Sequence, residues 1–145
     1  MSARFLYDPA VFLYAVGSDH PYREPCRHIV RLAAEGSLVG DASVELVQEV
    51  VHVRARRTGH RHDAAQAGRH VMPLCRLHPV EPSDLVAAVR LFQTCPDLHM
   101  RDAIHAATAL NRDIGLILSP DRAFEAVPGI ERVDPAAALP RLLER

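Results

Sequence analysis

The sequence predicts a single α/β domain built around a mainly parallel sheet. Three observations carry this expectation. Helical and strand-like segments alternate from one end of the 145 residues to the other, which is the pattern of a layered α/β sandwich. Leu116-Ile117-Leu118 is a short, wholly apolar run, as a strand covered on both faces requires. No linker, repeat or low-complexity stretch divides the chain, and 48% of it is apolar, so residues 1–145 are expected to share one core.

The elements follow in order. Arg4 to Tyr7 reads as a first strand, stopped at Asp8. Pro9 suits the first helical position, and Val11, Phe12, Tyr14 and Ala15 carry a short helix to Gly17. Ser18 and Asp19 offer caps for a second helix with Pro21 in its early turn. Ile29, Val30, Leu32 and Ala33 give it a 3.6-residue period until Gly36. Leu38 to Gly40 is a minimal second strand. Asp41 or Ser43 can cap the next helix, Val44 to about Arg57, which Gly59 ends. A His-rich helix covers His62 to His70, and Leu74 to Val80 alternates as a third strand. Pro82 opens a helix to about Gln93, Pro96 breaks the chain, and another helix runs from near Arg101 to Gly115. After the apolar strand come a helical turn at Asp121 to Ala126, an edge strand at Glu131 to Val133 and a closing helix at Pro135 to Leu143.

Bulk charge narrows the function. A net charge of −1 argues against a protein that coats nucleic acid by electrostatics alone. All 17 basic side chains are arginine, and guanidinium grips phosphate in a bidentate way that an ammonium cannot. Cys26, Cys75 and Cys95 are odd in number and widely spaced, so they are expected to be free buried thiols in a reducing compartment. Asp8 interrupts the N-terminus before an apolar run reaches signal-peptide length. No stretch reaches transmembrane length. A cytoplasmic protein is expected.

Ligands of a parallel sheet bind at the carboxyl ends of its strands. Asp8 lies directly past the first strand and Asp121 three residues past Leu118. Asp102 begins a helix that runs back against the sheet, so it starts at that same edge. Glu49 lies less than two turns into the helix after the second strand, with Glu45 one turn before it as the alternative. Alone, each acid has an ordinary explanation: a helix-dipole partner for Asp102, turn residues for Asp8 and Asp121. Together, four carboxylates from distant segments are expected at one rim. Two carboxylates about 6 Å apart repel by roughly 3 kcal/mol at an effective dielectric near 20. A hard divalent cation, Mg²⁺ or Mn²⁺, removes that cost, prefers oxygen ligands and can activate water against a phosphodiester. The nine histidines show no HExxH or similar zinc spacing. His105 is read as packing, with His20 and His52 as outside candidates for the rim. Ser119, Arg122 and Arg54 are the candidates for substrate binding, Arg54 with the basic run to Arg61.

The motifs carry a resemblance. Phe5-Leu6-Tyr7-Asp8-Pro9-Ala10-Val11-Phe12-Leu13-Tyr14-Ala15 resembles the first motif of PIN domains, and Ser43-Val44-Glu45-Leu46-Val47-Gln48-Glu49-Val50-Val51-His52-Val53 the second. Asp102-Ala103-Ile104-His105-Ala106-Ala107-Thr108-Ala109-Leu110 is very similar to the third. Leu118-Ser119-Pro120-Asp121-Arg122-Ala123-Phe124, followed by Val127-Pro128-Gly129-Ile130, resembles the fourth. Within that family the likeness is to VapC-type toxins. It implies a three-layer α/β/α fold with a five-stranded parallel sheet, a Mg²⁺- or Mn²⁺-dependent endoribonuclease, a homodimer, and a VapB-type antitoxin that blocks the site. By motif position Asp8, Glu49, Asp102 and Asp121 form the acidic quartet, with Asp8, Asp102 and Asp121 as metal ligands. Ser119 stands where a Ser or Thr helps hold the fourth acid or its water. Ala10 departs from the Asn that usually supports the first acid. A catalytically degenerate scaffold that binds antitoxin or RNA is the alternative. Phe12, Ile29 and Val51 are candidates for an apolar groove that seats the antitoxin.

Overall fold

The computed structural model describes residues 3–143. Five strands, all parallel, form one sheet in the order β3-β2-β1-β4-β5. They are β1 (Leu6–Tyr7), β2 (Gly40–Ser43), β3 (Cys75–His78), β4 (Leu116–Leu118) and β5 (Glu131–Val133). The helices are α1 (Pro9–Val16), α2 (Arg23–Ala34), α3 (Val44–Thr58), α4 (Arg61–Val71), α5 (Pro82–Thr94), α6 (Met100–Leu110) and α7 (Ala138–Leu142). Short 3₁₀ turns occupy Met72–Leu74, Arg122–Ala126 and Pro135–Ala137.

Alternation along the strands builds the three layers. Phe5, Tyr7, Ala42, Leu116, Leu118 and Val133 share one core with Phe12, Ile29, Leu46 and Val50 of the first three helices. Leu6 and Ile117 point the other way, into a core made with α5 and α6. Each such fully buried side chain contributes roughly 1.5–3 kcal/mol. Four alanines of α6, Ala103, Ala106, Ala107 and Ala109, are fully buried, so this helix can lie close to the sheet. On the opposite side Gly68 lets α4 approach α3: a Cβ there would stand 2.5 Å from Val51 Cγ2.

Three local expectations are corrected. The second strand is Gly40–Ser43, not Leu38–Gly40. Its residues pair with all four of β3, from Gly40 opposite Cys75 to Ser43 opposite His78. Ser43 alone caps α3, accepting from Glu45 N–H at 3.1 Å. Asp41 is a fully buried strand residue, held by His78 Nε2 at 2.7 Å and Arg4 Nε at 3.3 Å, with Arg76 Nε at 3.7 Å. Burial acts to raise its pKa, but hydrogen bonds from His78 and Arg4 outweigh this and hold the carboxyl below its ordinary value. The second helix begins at Arg23, leaving Ser18, Asp19 and Pro21 outside it. A local turn replaces the expected cap: Tyr22 N–H donates to His20 Nδ1 at 3.1 Å.

Cys26, Cys75 and Cys95 are free, Cys26 and Cys95 buried and Cys75 partly so. Among the described residues no helix is long and apolar enough to cross a membrane.

Candidate active site: an acidic cleft at the carboxyl edge of the sheet

Asp8, Glu49, Asp102 and Asp121 line one open cleft of about 360 Å³. Each arrives from its own element. Asp8 follows the central strand, where its backbone N–H donates to Leu118 O at 3.0 Å. It stands at the N-cap position of α1 but makes no side-chain capping bond, so its carboxylate is left to the cleft. Asp102 lies in the first turn of α6. Asp121 follows β4 and spends one oxygen on the next turn, accepting from Ala123 N–H at 2.9 Å. Glu49 is the cleft-lining glutamate of α3, while Glu45 is absent from the wall.

The environment disfavours charge on the inner pair. Asp8 is only 4% exposed. Burial is the main reason its pKa rises to about 7, with Asp102 and Glu49 adding to the rise and His105 and Ser119 opposing it. Asp102 is 9% exposed. Its pKa is also raised, first by burial and then by Asp121 and Glu49, against His105 and His99. Although the chain has 17 arginines, none forms an ion pair with any of the four acids among the described residues. Among the described residues the close neighbour of Glu49 is His105, whose Nε2 lies 3.6 Å from Glu49 Oε1. His105 is fully buried and neither ring nitrogen has a hydrogen-bond partner. It is packed beneath the cleft, beside Glu49. Among the described residues no three acidic, His or Cys side chains are gathered as a ready-made metal cage, so the carboxylates form an open rim.

None of the three substrate-binding candidates lines the cleft. Ser119 is fully buried; its Oγ donates to Asp8 Oδ2 at 2.6 Å and accepts from Asp121 N–H at 2.9 Å. It therefore ties the first acid to the fourth from below, supplying support to Asp8 where Ala10 offers none, and is no surface for substrate. Arg122 is 81% exposed and lies 3.6 Å from Glu125, outside the cleft wall. Arg54 borders an apolar cavity and a neighbouring cleft, not the acids. Reading the sequence missed four wall residues, Tyr14, Tyr22, His99 and Arg101. His99 and Arg101 lie just before Asp102 in the chain, a proximity that could have signalled them. The tyrosines carried no such sign. Phe12, Ile29 and Val51 do not share one groove; they border three separate depressions.

A parallel sheet with this strand order, its carboxyl edge crowned by acids from four segments, defines a class. The PIN domain profile matches residues 6–130, and the chain belongs to the PIN domain family. Within it, the chain is 39% identical to Ribonuclease VapC7 of Mycobacterium tuberculosis over 133 residues, covering 90% of this chain and 91% of that one. It is 32% identical to Ribonuclease VapC13 of the same organism, covering 88% and 98%. In structure it is similar to VapBC2 of Rickettsia felis, solved bound to a promoter DNA fragment. The TM-score is 0.68 at 10% identity, with 90% of this chain and 98% of that chain covered.

Proposed function

We propose that this protein is a metal-dependent endoribonuclease toxin of the VapC type, neutralised by a VapB-type antitoxin. The observation that carries the reading is the meeting of Asp8, Glu49, Asp102 and Asp121 in one cleft, with no arginine among the described residues paired to them. Clustered, partly buried carboxylates cost free energy unless protonated or met by a cation. The donor set is all oxygen and suits Mg²⁺ or Mn²⁺. Asp8, Asp102 and Asp121 would hold the ion directly or through water. When bound, it would neutralise the acids, supply an activated water and stabilise charge on a phosphodiester. Glu49, at the wall beside His105, orients the attacking water and can accept its proton. Ser119 fixes the Asp8 carboxylate in one orientation. The RNA is single-stranded where it is cut, since only an unpaired strand presents its backbone and bases freely.

The protein works in the cytoplasm, where its RNA is. It is a homodimer: the solvent-facing side of α5 carries Leu85, Val86, Val89 and Phe92, each 44–64% exposed, a patch that a second copy can cover. The relatives named VapC ribonucleases, and the VapBC complexes that share the fold, support the toxin reading.

The test is cleavage of total cellular RNA by antitoxin-free protein, with Mn²⁺ or with EDTA, beside an Asp8→Asn/Asp102→Asn double variant. Discrete fragments that need the ion and vanish in the variant are expected, because such acids act as one unit. Intact RNA across several RNA pools, from folded protein, would overturn the reading.

A further inference from the structure

The acidic cleft continues past its carboxylates. Tyr14 forms part of its wall and also part of a second cleft of about 550 Å³, which His20, Arg54 and Arg57 help to line. Between the two lies a cluster of rings. The His20 ring lies 4.4 Å from Tyr14, centroid to centroid, tilted by 31°, and stacks 5.9 Å from Tyr22 with only 15° between their planes; Tyr14 and Tyr22 are 5.7 Å apart. Tyr22 is itself a wall residue of the acidic cleft.

These rings could serve only to close the loop between α1 and α2. Three features say more. His20 is exposed, so its ring is not filling a core. The cluster is fixed by hydrogen bonds: Tyr22 Oη donates to Asp134 Oδ2 at 2.8 Å, and Tyr22 N–H fixes His20 through Nδ1. Asp134 also lies 3.5 Å from Arg132 Nη1, which donates to Ser119 O at 3.0 Å. The ring cluster and the Asp8 support therefore share one brace. Beyond the rings, Arg54 and Arg57 lie one helical turn apart on α3 and have no ion-pair partner among the described residues.

We infer that Tyr14, His20 and Tyr22 form a stacking platform for an unpaired nucleobase of an RNA strand running from the acidic cleft into the second cleft, where Arg54 and Arg57 take its phosphates. This rests on the ribonuclease reading. Aromatic faces accept any base, and guanidinium groups track the backbone without reading sequence. The platform thus selects single strands over duplex, whose bases are already stacked.

The test is fluorescence anisotropy of a labelled eight-nucleotide RNA on full-length, antitoxin-free protein in EDTA, with cleavage of total RNA in Mn²⁺ measured in parallel. His20 is exposed, so His20→Ala folds. The expected loss on His20→Ala is about tenfold in affinity, restored by His20→Phe. RNAs made abasic at one position after another should include one that binds wild type weakly and is indifferent to His20→Ala. Arg54→Ala and Arg57→Ala should each lower the salt slope by roughly 0.7. Unchanged affinity in His20→Ala, while wild type cleaves and binds RNA, overturns the platform alone. So does a loss that is equal on every abasic RNA, or a loss of antitoxin binding with RNA binding intact. A wild type that neither binds nor cleaves RNA overturns the platform and the ribonuclease together.

Discussion

Ser119 donates a 2.6 Å hydrogen bond to the Asp8 carboxylate across 111 residues of sequence. A donor of this kind favours the charged acid and opposes the burial that lifts Asp8 to about 7. Ser119→Ala should therefore push Asp8 higher still. Hydrogen bonds to charged groups are worth about 1.5–3 kcal/mol, so Mn²⁺ affinity at pH 7 should fall roughly tenfold or more. It should recover as the pH is raised and Asp8 ionises. Calorimetric Mn²⁺ titrations at pH 7 and pH 8.5 check this; equal affinity of variant and wild type at pH 7 would contradict it.

The raised Asp8 pKa also has a sign for stability. An acid whose folded pKa exceeds its unfolded value of 3.8 favours folding in its protonated form. Metal-free protein should lose stability as pH rises from roughly 4 through 7, by up to about 4 kcal/mol from this group. Asp8→Asn carries no such charge and can still accept from Ser119. The variant should be the more stable protein at pH 8 and close to wild type only near pH 4. Urea melts in EDTA at the two pH values decide it.

Arg112 joins the end of α6 to the start of α5. It donates to both Asp84 oxygens, at 2.9 and 3.0 Å, and to Pro79 O at 2.9 Å. Asp84 is almost fully buried. Burial acts to raise its pKa, but the bonds from Arg112, from the Glu81 backbone and from Asn111 lower it to about 2. Arg112→Ala strands a buried carboxylate and should cost about 3–5 kcal/mol. The depressed pKa makes this stabilisation complete above roughly pH 4. It is lost as the pH falls through about 2. Wild type and Arg112→Ala should converge in thermal melts taken across that interval.

Gly40 sits beneath two rings. A Cβ there would stand 2.6 Å from Phe5 Cζ and would also run into Tyr7 Cε2. Both rings are fully buried, so they have little room to move. Gly40→Ala should cost about 1–3 kcal/mol by overpacking, read as a lower urea midpoint with an unchanged slope.

The acids were legible because position along the chain fixed them. Asp8 and Asp121 follow strands and Asp102 opens a helix, so their edge of the sheet follows from topology alone. What chain order concealed were contacts between distant segments. Ser119 reads toward Asp121 and the substrate; its hydroxyl does accept from Asp121 N–H, and it also donates to Asp8, which chain order did not show. Asp41 looked like a cap because Gly-Asp-Ala-Ser has no strand composition, and its burial depends on Arg4, Arg76 and His78 from neighbouring strands. Tyr14 reads as one more apolar position of α1, and His20 as no more than an outside candidate for the rim. Their stacking appears only when α2 folds back on α1.

The central place of β1 in the sheet bears on how the cell makes this protein. Leu6 and Tyr7 pair with Ile117 and Leu118, so the first strand synthesised is flanked on one side by almost the last. Domains tend to fold as units when their partners have left the ribosome. Until residue 119 and the segment behind it emerge, Asp8 lacks its hydroxyl donor and Asp121 has not joined the cleft. A nascent chain still short of this segment therefore carries an incomplete set of acids.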